Sequence, residues 1–554
     1  MSIMLALSTS ITNQLGGGTT PIFTFYVDPA GSDSNDGLSQ VTPWQTVDKV
    51  NAATIPAGST VLFKGGATFN GSLYLKETQH SGTAGRITTF GSYGTGVATF
   101  NVVSSTEEGI WTQDVQYVLI KDFKLTGPGR TVSMYGGLDI AISKPSNARL
   151  QGLTIRNIEV SGFNNGIIGW GGASDGSSSG YDDLLIQNCL VHDCCANGNG
   201  IWLGTSAYGL LNKAATWLRP VIDGCKAYDN PGGYTSPVSH SGSGVLLTGC
   251  DGAIVQYCEA YNNGAGNTYA AGPVGIWFYD CKNCIIQYCE SHHNKTGVGT
   301  SDGGGFDIDG GCQGCIVQYC YSHDNYGPGY QLYQYSDAAN ILPLTGNRIR
   351  YNISENDGTQ SPTTKGGLLI GTAETSRAAS DNVVHNNTVF SSVASSNGFY
   401  LHSNPDKFTS SYFANNIIYL TGASTKVINS APSAVPAVLC IGNCYSSPST
   451  SIKWGATTYT TFSNWRTAFP TQETVAGAAV FKAANPTLVG TVPVGNINGF
   501  NSALLGAYKT QGASVCRNGG QNLNSLYGIT VGSQDLYGNA IPQGLYDIGC
   551  FESA

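Results

Sequence analysis

Eight short segments of this chain share one pattern at nearly constant spacing, and that spacing sets what the chain can fold into. IQNCLVHDC starts at Ile186, IDGCKAYDN at Ile222, VQYCEAYNN at Val255, IQYCESHHN at Ile286, VQYCYSHDN at Val317 and IRYNISEND at Ile349. Weaker copies are VHNNTVFSS at Val384 and FANNIIYLT at Phe413. The steps are 36, 33, 31, 31, 32, 35 and 29 residues. A second element accompanies the copies and begins at glycine: GIIGW from Gly166, GIWLG from Gly200, GVLLT from Gly244, GIWFY from Gly275, GFDID from Gly305, GYQLY from Gly329, GLLIG from Gly367 and GFYLH from Gly398. Both elements alternate apolar residues with others, which is the period of a half-buried strand. No run of helical period lies between them, which excludes an α/β array. Unequal steps fit strands of fixed length joined by loops of variable length. Each repeat has room for three strands and one or two long loops. The expected fold is an all-β solenoid, a right-handed parallel β-helix.

The composition agrees. Of 554 residues only 11% are charged, against about 25% in an average domain. Glycine numbers 74 and tyrosine 30. The net charge is −9, so the chain lacks the electrostatic footprint of a nucleic-acid or anionic-lipid binder. No apolar run approaches the roughly 18–20 residues of a membrane span. The opening MSIMLALSTSITNQLGGG has no basic stretch before its short apolar run and does not read as a signal peptide.

The 16 cysteines follow the same rhythm. Cys281-x-x-Cys284 and Cys312-x-x-Cys315 have the look of a zinc site. Yet Cys250, Cys281 and Cys312 are 31 apart, as are Cys258, Cys289 and Cys320, and so are Cys284 and Cys315. An interval equal to the repeat stacks like residues on successive coils, about 4.8 Å apart. These cysteines are therefore expected as small buried hydrophobes, reduced and without metal. Asn352, Asn387 and Asn416 continue the Cys189–Cys225–Cys258–Cys289–Cys320 column. Cys440, Cys444, Cys516 and Cys550 fall outside the repeat, and their disulfide state stays open.

The ends read as caps. Residues 1–59 form an N-terminal segment and helix cap, 60–430 the β-helix, and 431–554 an irregular C-terminal cap or small β region. Thr42-Pro43-Trp44-Gln45 has the form of a capping box and is expected to open a helix running to about Ala53.

On the glycine-led strands, the residue after glycine should point inward and the next outward. The outward set is Trp202, Leu246, Trp277 with Tyr279, Asp307 with Asp309, Gln331 with Tyr333, Leu369, and Tyr400 with His402. Aromatic side chains in one row form a platform for the apolar faces of sugar rings. Trp202, Trp277, Tyr279, Tyr333, Tyr400 and His402 are the substrate-binding candidates. Long segments at 204–219, 264–274, 295–304, 334–346 and 371–380 flank this sheet and are placed to wall a groove. Asp307 and Asp309 stand out, because aspartate is depleted in strands. At i and i+2 both face one side, roughly 6–7 Å apart. Close carboxylates raise one another's pKa, as acid/base glycoside hydrolysis requires. Asp302 and Glu374 are further catalytic candidates. Calcium binding is the competing use of such a cluster, although hydrolysis needs no cofactor. His292, His293 and His323, on the repeated SHxN segment, read as side-sheet residues.

YVDPAGSDSNDG at Tyr26, AGSTVLFKGG at Ala57 and the closing DLYGNAIPQGLYDIGCFE resemble secreted and phage-borne β-helix proteins of the pectate-lyase-like superfamily of carbohydrate-active enzymes. With no signal peptide, the N-terminus is similar to that of phage tail-associated polysaccharide depolymerases. The resemblance implies a polysaccharide substrate, an extracellular or virion-associated location, and a homotrimer if the chain is a tailspike. SDGGGFDIDGG also resembles the strand motif of a calcium-dependent pectate lyase family, in which a lysine base stands where this chain has Asp309. The paired acids of that motif are missing near Pro328, which leaves Lys295 or Lys365 as the base for β-elimination. Three readings follow: an endo-acting glycanase on a microbial exopolysaccharide or capsule, a polysaccharide lyase, and a glycan-binding adhesin without catalysis.

Overall fold

The computed structural model describes residues 21–553 except 173–175, 234–239, 270, 298–300, 361–364 and 433. The chain winds into stacked coils, each contributing strands to three faces. One face is a sheet of fourteen strands, from Leu73–Lys76 to Thr457–Tyr459. Its glycine-led strands pair in parallel and in register, as in Ile276↔Phe306 and Phe306↔Tyr330. The VQYC-type segments form the other two faces. Ile285–Gln287 stacks on Ile254–Gln256, and Glu290–His292 on Glu259–Tyr261. This is the right-handed parallel β-helix expected from the repeat. The inward row Ile201, Leu203, Ile276, Phe278, Phe306, Ile308, Tyr330, Leu332, Phe399 and Leu401 lies in one continuous buried core.

The corners explain the cysteine and asparagine columns. Between the two short strands the chain turns through left-handed backbone, at Tyr257, Tyr288, Tyr319 and Tyr351, with φ between 53° and 56°. The next residue points inward, where it must satisfy backbone groups cut off from water. Asn352 Nδ2 donates to Val317 O on the preceding coil (3.0 Å) and Asn352 Oδ1 accepts from Cys320 N (2.9 Å). The thiols do the same work more weakly: Cys225 Sγ donates to Ile186 O (3.6 Å) and accepts from Cys189 N (3.4 Å). A second ladder, Asn230–Asn263–Asn294–Asn325, runs up the following corner and ends on Asp357. All sixteen cysteines are free and buried, including Cys440, Cys444, Cys516 and Cys550.

Both ends differ from the expected boundaries. Parallel stacking begins before residue 60, with Thr24–Val27 on Thr60–Lys64. It continues past 430, where Leu439–Ile441 and Cys444–Ser446 stack on the coil before them. At the N-terminus the helix is Val47–Ala52 and its cap is Thr46, whose Oγ1 accepts from Lys49 N. Thr42 is not the cap, because Trp44 N bonds Tyr26 O and the chain is still extended there. Val47 and Val50 cover the open end of the core. At the other end Trp465, on the helix Phe462–Ala468, packs on Trp454 at 5.2 Å.

Residues 484–553 then run back along one side of the coils as a strap. Buried Glu290 accepts from Ile497 N and Gly499 N. Buried Glu355 accepts from Val494 N, Gly495 N and the Tyr508 hydroxyl. Arg350 donates to Thr530 O, and Tyr319 to Gln534 O. Glu355→Ala strands three donors at about 1–3 kcal/mol each. The expected result in limited proteolysis is early cleavage within 484–553 while the coils stay resistant; a strap as resistant as wild type would refute the clasp. Among the described residues no helix is long and apolar enough to cross a membrane.

Candidate active site

The outward row of the fourteen-stranded sheet converges, with loops from both sides, on a cavity of about 840 Å³. Register fixes its floor. Trp277, Asp307, Gln331 and Leu369 sit side by side on successive strands. Two residues on, Asp309 N bonds Phe278 O, which sets Asp309 beside Tyr279. Tyr333 and His402 face each other across Gly371, with rings 5.7 Å apart. A Cβ at Gly371 would come within 3.0 Å of Tyr333, so glycine is what lets the two rings meet.

Two of the three cavity aspartates share one network through Gln331. Gln331 Nε2 donates to Asp307 Oδ2 (2.9 Å) and Asp302 Oδ1 (3.2 Å), while Gly272 N donates to Asp302 Oδ2 (3.0 Å). Asp307 Oδ1 is buried and finds no hydrogen-bond partner among the described residues. Asp309 Oδ1 accepts from Gly310 N (2.7 Å). Burial, and then the charges of Asp309 and Asp302, hold the Asp307 carboxyl well above the ordinary aspartate range. Burial pushes Asp309 up to about 8. Burial also raises Asp302, but its hydrogen bonds and nearby Lys365 oppose the rise. Lys365 Nζ donates to Asp302 O (2.7 Å), and burial lowers the pKa of its ammonium.

The walls come from distant loops. Asp280 accepts from Gly209 N (2.9 Å) and Leu210 N (3.0 Å), pinning the segment that carries Tyr208. The Tyr208 hydroxyl reaches the Tyr335 hydroxyl (2.8 Å) and Asp337 Oδ2 (2.9 Å), closing one side. On the other side His240 stands edge-on to Trp277 at 4.9 Å, and burial pushes its pKa down to about 4, so its ring is neutral near pH 7.

Of the sequence candidates, Asp302, Asp307, Asp309, Trp277, Tyr279, Tyr333 and His402 line this cavity, and Trp202, Tyr400 and Glu374 do not. The aromatic row is not an open platform. Trp277 is 2% exposed and Tyr400 7%, because the loops fold over the sheet. Trp202 packs against the Leu246–Trp277 cluster and, edge-on, against Trp170. Buried Glu374 pairs with Arg377 (3.2 Å) and accepts from Asp337 N (3.3 Å), so it braces the wall that carries Tyr335. Lys295 lies over the Tyr326 ring. Tyr208, Tyr269 and Tyr335 line the cavity from three of the segments expected to wall it, though no signal singled out these side chains, and His240 lies outside those segments. Gln331 was accessible through register alone.

The model of the right-handed β-helix region matches residues 139–342. No curated protein matches the chain in sequence. Among solved structures, the GH136 lacto-N-biosidase from Eubacterium ramulus superposes with a TM-score of 0.51 at 17% identity, covering 67% of this chain and 64% of that one. The chain thus spans just under two thirds of that relative's length. The mannuronan C-5 epimerase A-module from Azotobacter vinelandii gives a TM-score of 0.43 at 15% identity, covering 72% and 96%. A pectate lyase gives 0.36 at 15% identity, covering 98% and 99%. These likenesses are to the fold.

Proposed function

We propose that this chain is a polysaccharide-degrading enzyme that hydrolyses a glycosidic bond in the cavity on its fourteen-stranded sheet. The observation that carries this reading is the meeting of Asp302, Asp307 and Asp309 in one aromatic-walled cavity, with Asp307 Oδ1 left without a partner among the described residues. A structural carboxylate would be saturated with donors, as Glu355 is. A pure binding site has no need of buried acids that hold protons near neutral pH. Glycoside hydrolysis needs one carboxyl protonated and one ionised. Asp309 and Asp307 supply the proton-holding side, so that one protonates the leaving oxygen. Asp302, with two donors on its carboxylate and Lys365 nearby, takes the negative charge once a proton is lost. Tyr279 and Tyr333 present ring surface to a sugar, with buried Trp277 packed beside Tyr279. The substrate class is a microbial exopolysaccharide or capsule cut internally, outside the cell or from a virion; a tailspike would be a trimer, which light scattering reads directly. The chemistry requires no metal, so activity should survive a chelator.

One observation favours β-elimination instead. Lys365 lines the same cavity, and burial lowers its pKa toward the range of a working base. Incubation with candidate polysaccharides separates the readings. New reducing ends without ultraviolet absorbance of unsaturated sugars mean hydrolysis; both signals mean elimination; binding with neither signal means an adhesin and sinks the enzymatic reading.

A further inference from the structure

A second cluster lies away from the fourteen-stranded sheet and goes beyond the reading above. Strands Glu290–His292 and Tyr321–His323 are neighbours on another face, with His292 opposite His323. Their rings stack at 4.5 Å and 8°. His293 occupies the adjoining corner at φ 53°, a place filled by Asp229, Asn262, Asp324 and Asn356 on neighbouring coils. That left-handed turn sets its ring perpendicular to both others, at 86° and 88°. A ring nitrogen from each of the three lies within 4.8 Å of the other two.

The tautomers follow from the carboxylates behind the rings. His292 Nε2 faces Glu259 Oε1 (3.3 Å) and His323 Nε2 faces Glu290 Oε1 (3.1 Å). An ionised carboxylate only accepts, so each Nε2 carries hydrogen and each Nδ1 turns toward the cluster. His292 Nδ1 lies 2.9 Å from His293 Nδ1, and His323 Nδ1 lies 2.9 Å from Asp324 Oδ2. Imidazoles fixed from behind by carboxylates are the arrangement that orients histidine toward a metal.

We propose that His292, His293 and His323 bind one divalent first-row transition-metal ion, Zn²⁺ foremost, with Asp324 beside His323. Three imidazoles with an open fourth position are a zinc set, and zinc closes on them at about 2.0–2.1 Å from each nitrogen. The ion replaces the proton that His323 Nδ1 shares with Asp324, and that proton leaves to solvent. Exposed His293 gives the ion its entry path. Because Glu290 also holds Ile497 N and Gly499 N, the ion fastens two coils to the strap.

The test uses the tag-free full chain, stripped with a chelator and titrated calorimetrically with ZnCl₂. One ion per chain is expected, and Co²⁺ should give the visible absorption of a tetrahedral site. His293→Ala should weaken Zn²⁺ binding at least about 10-fold and Asp324→Asn measurably. In chelator His293→Ala should melt like wild type, which separates a lost ligand from a lost fold. Asp309→Asn should bind zinc normally, so this test stands apart from the cavity's. Absence of uptake at a large excess of Zn²⁺, or one ion still held tightly by His293→Ala, would overturn the proposal.

Discussion

Asp309→Asn and Asp307→Asn are each expected to lose at least about 10²-fold, and up to about 10⁴-fold, in turnover while still binding polysaccharide. Asparagine keeps the shape of the side chain but cannot give or take the proton. The same substitutions should raise stability in a pH-dependent way. Asp309 titrates at about 8 in the folded chain and near 3.9 when unfolded. Between those values the folded state binds the extra proton, so its contribution to stability is full below about pH 4 and lost as pH rises through about 8. Asp309→Asn should therefore stabilise by about 1–3 kcal/mol at pH 8, after discounting for solvent at the open cavity, and by nothing measurable at pH 4. Turnover of the wild type should fall on the alkaline side with an apparent pKa near 8. Thermal melts at the two pH values with one turnover assay suffice; unchanged turnover in both variants moves the chemistry elsewhere, first to Lys365.

The second large effect belongs to the corner ladder. Asn352→Ala leaves Cys320 N and Val317 O unpaired in the core and removes the bond to Asn387 Oδ1. At about 1–3 kcal/mol per orphaned group, the loss should be about 2–5 kcal/mol in chemical denaturation. Asn352→Cys should cost clearly less, because Cys225 meets the equivalent carbonyl and amide four places down the same column. Equal losses for Ala and Cys would mean that the column is held by packing alone.

How much of this was legible in the sequence varies with how periodic each feature is. The cysteine column was readable because intervals of 31 residues repeat without error from Cys250 to Cys312 and from Cys258 to Cys320. The ladder from Asn230 to Asn325 is nearly as regular, but asparagine near a corner reads as ordinary turn chemistry. Register carried Trp277, Asp307 and Gln331 into one row, and the oddity of aspartate inside a strand marked the cavity floor. The wall segments were legible as long insertions, but their pairing was out of reach: Tyr208 meets Tyr335 across 127 residues, through a loop anchored by Asp280. Glu374 resembled a cavity acid by position, and only its contacts with Arg377 and the Asp337 backbone show it turned away. Thr42 had the cap's sequence form, but Trp44 remains bonded to the strand at Tyr26.

The strap has a consequence for assembly on the ribosome. Coils contact mainly their neighbours and can form as they emerge, in order from the N-terminus. Glu290 and Glu355, however, wait for partners 207 and 139 residues further along the chain. At about 5–20 residues per second that wait is on the order of ten seconds or more. The buried carboxylates of Glu290 and Glu355, on coils in the middle of the molecule, are thus satisfied last, together with the C-terminal residues. A nascent chain truncated before the strap should hold its coils and its cavity, whose lining lies between Tyr208 and His402, and leave Glu290 and Glu355 without their strap donors.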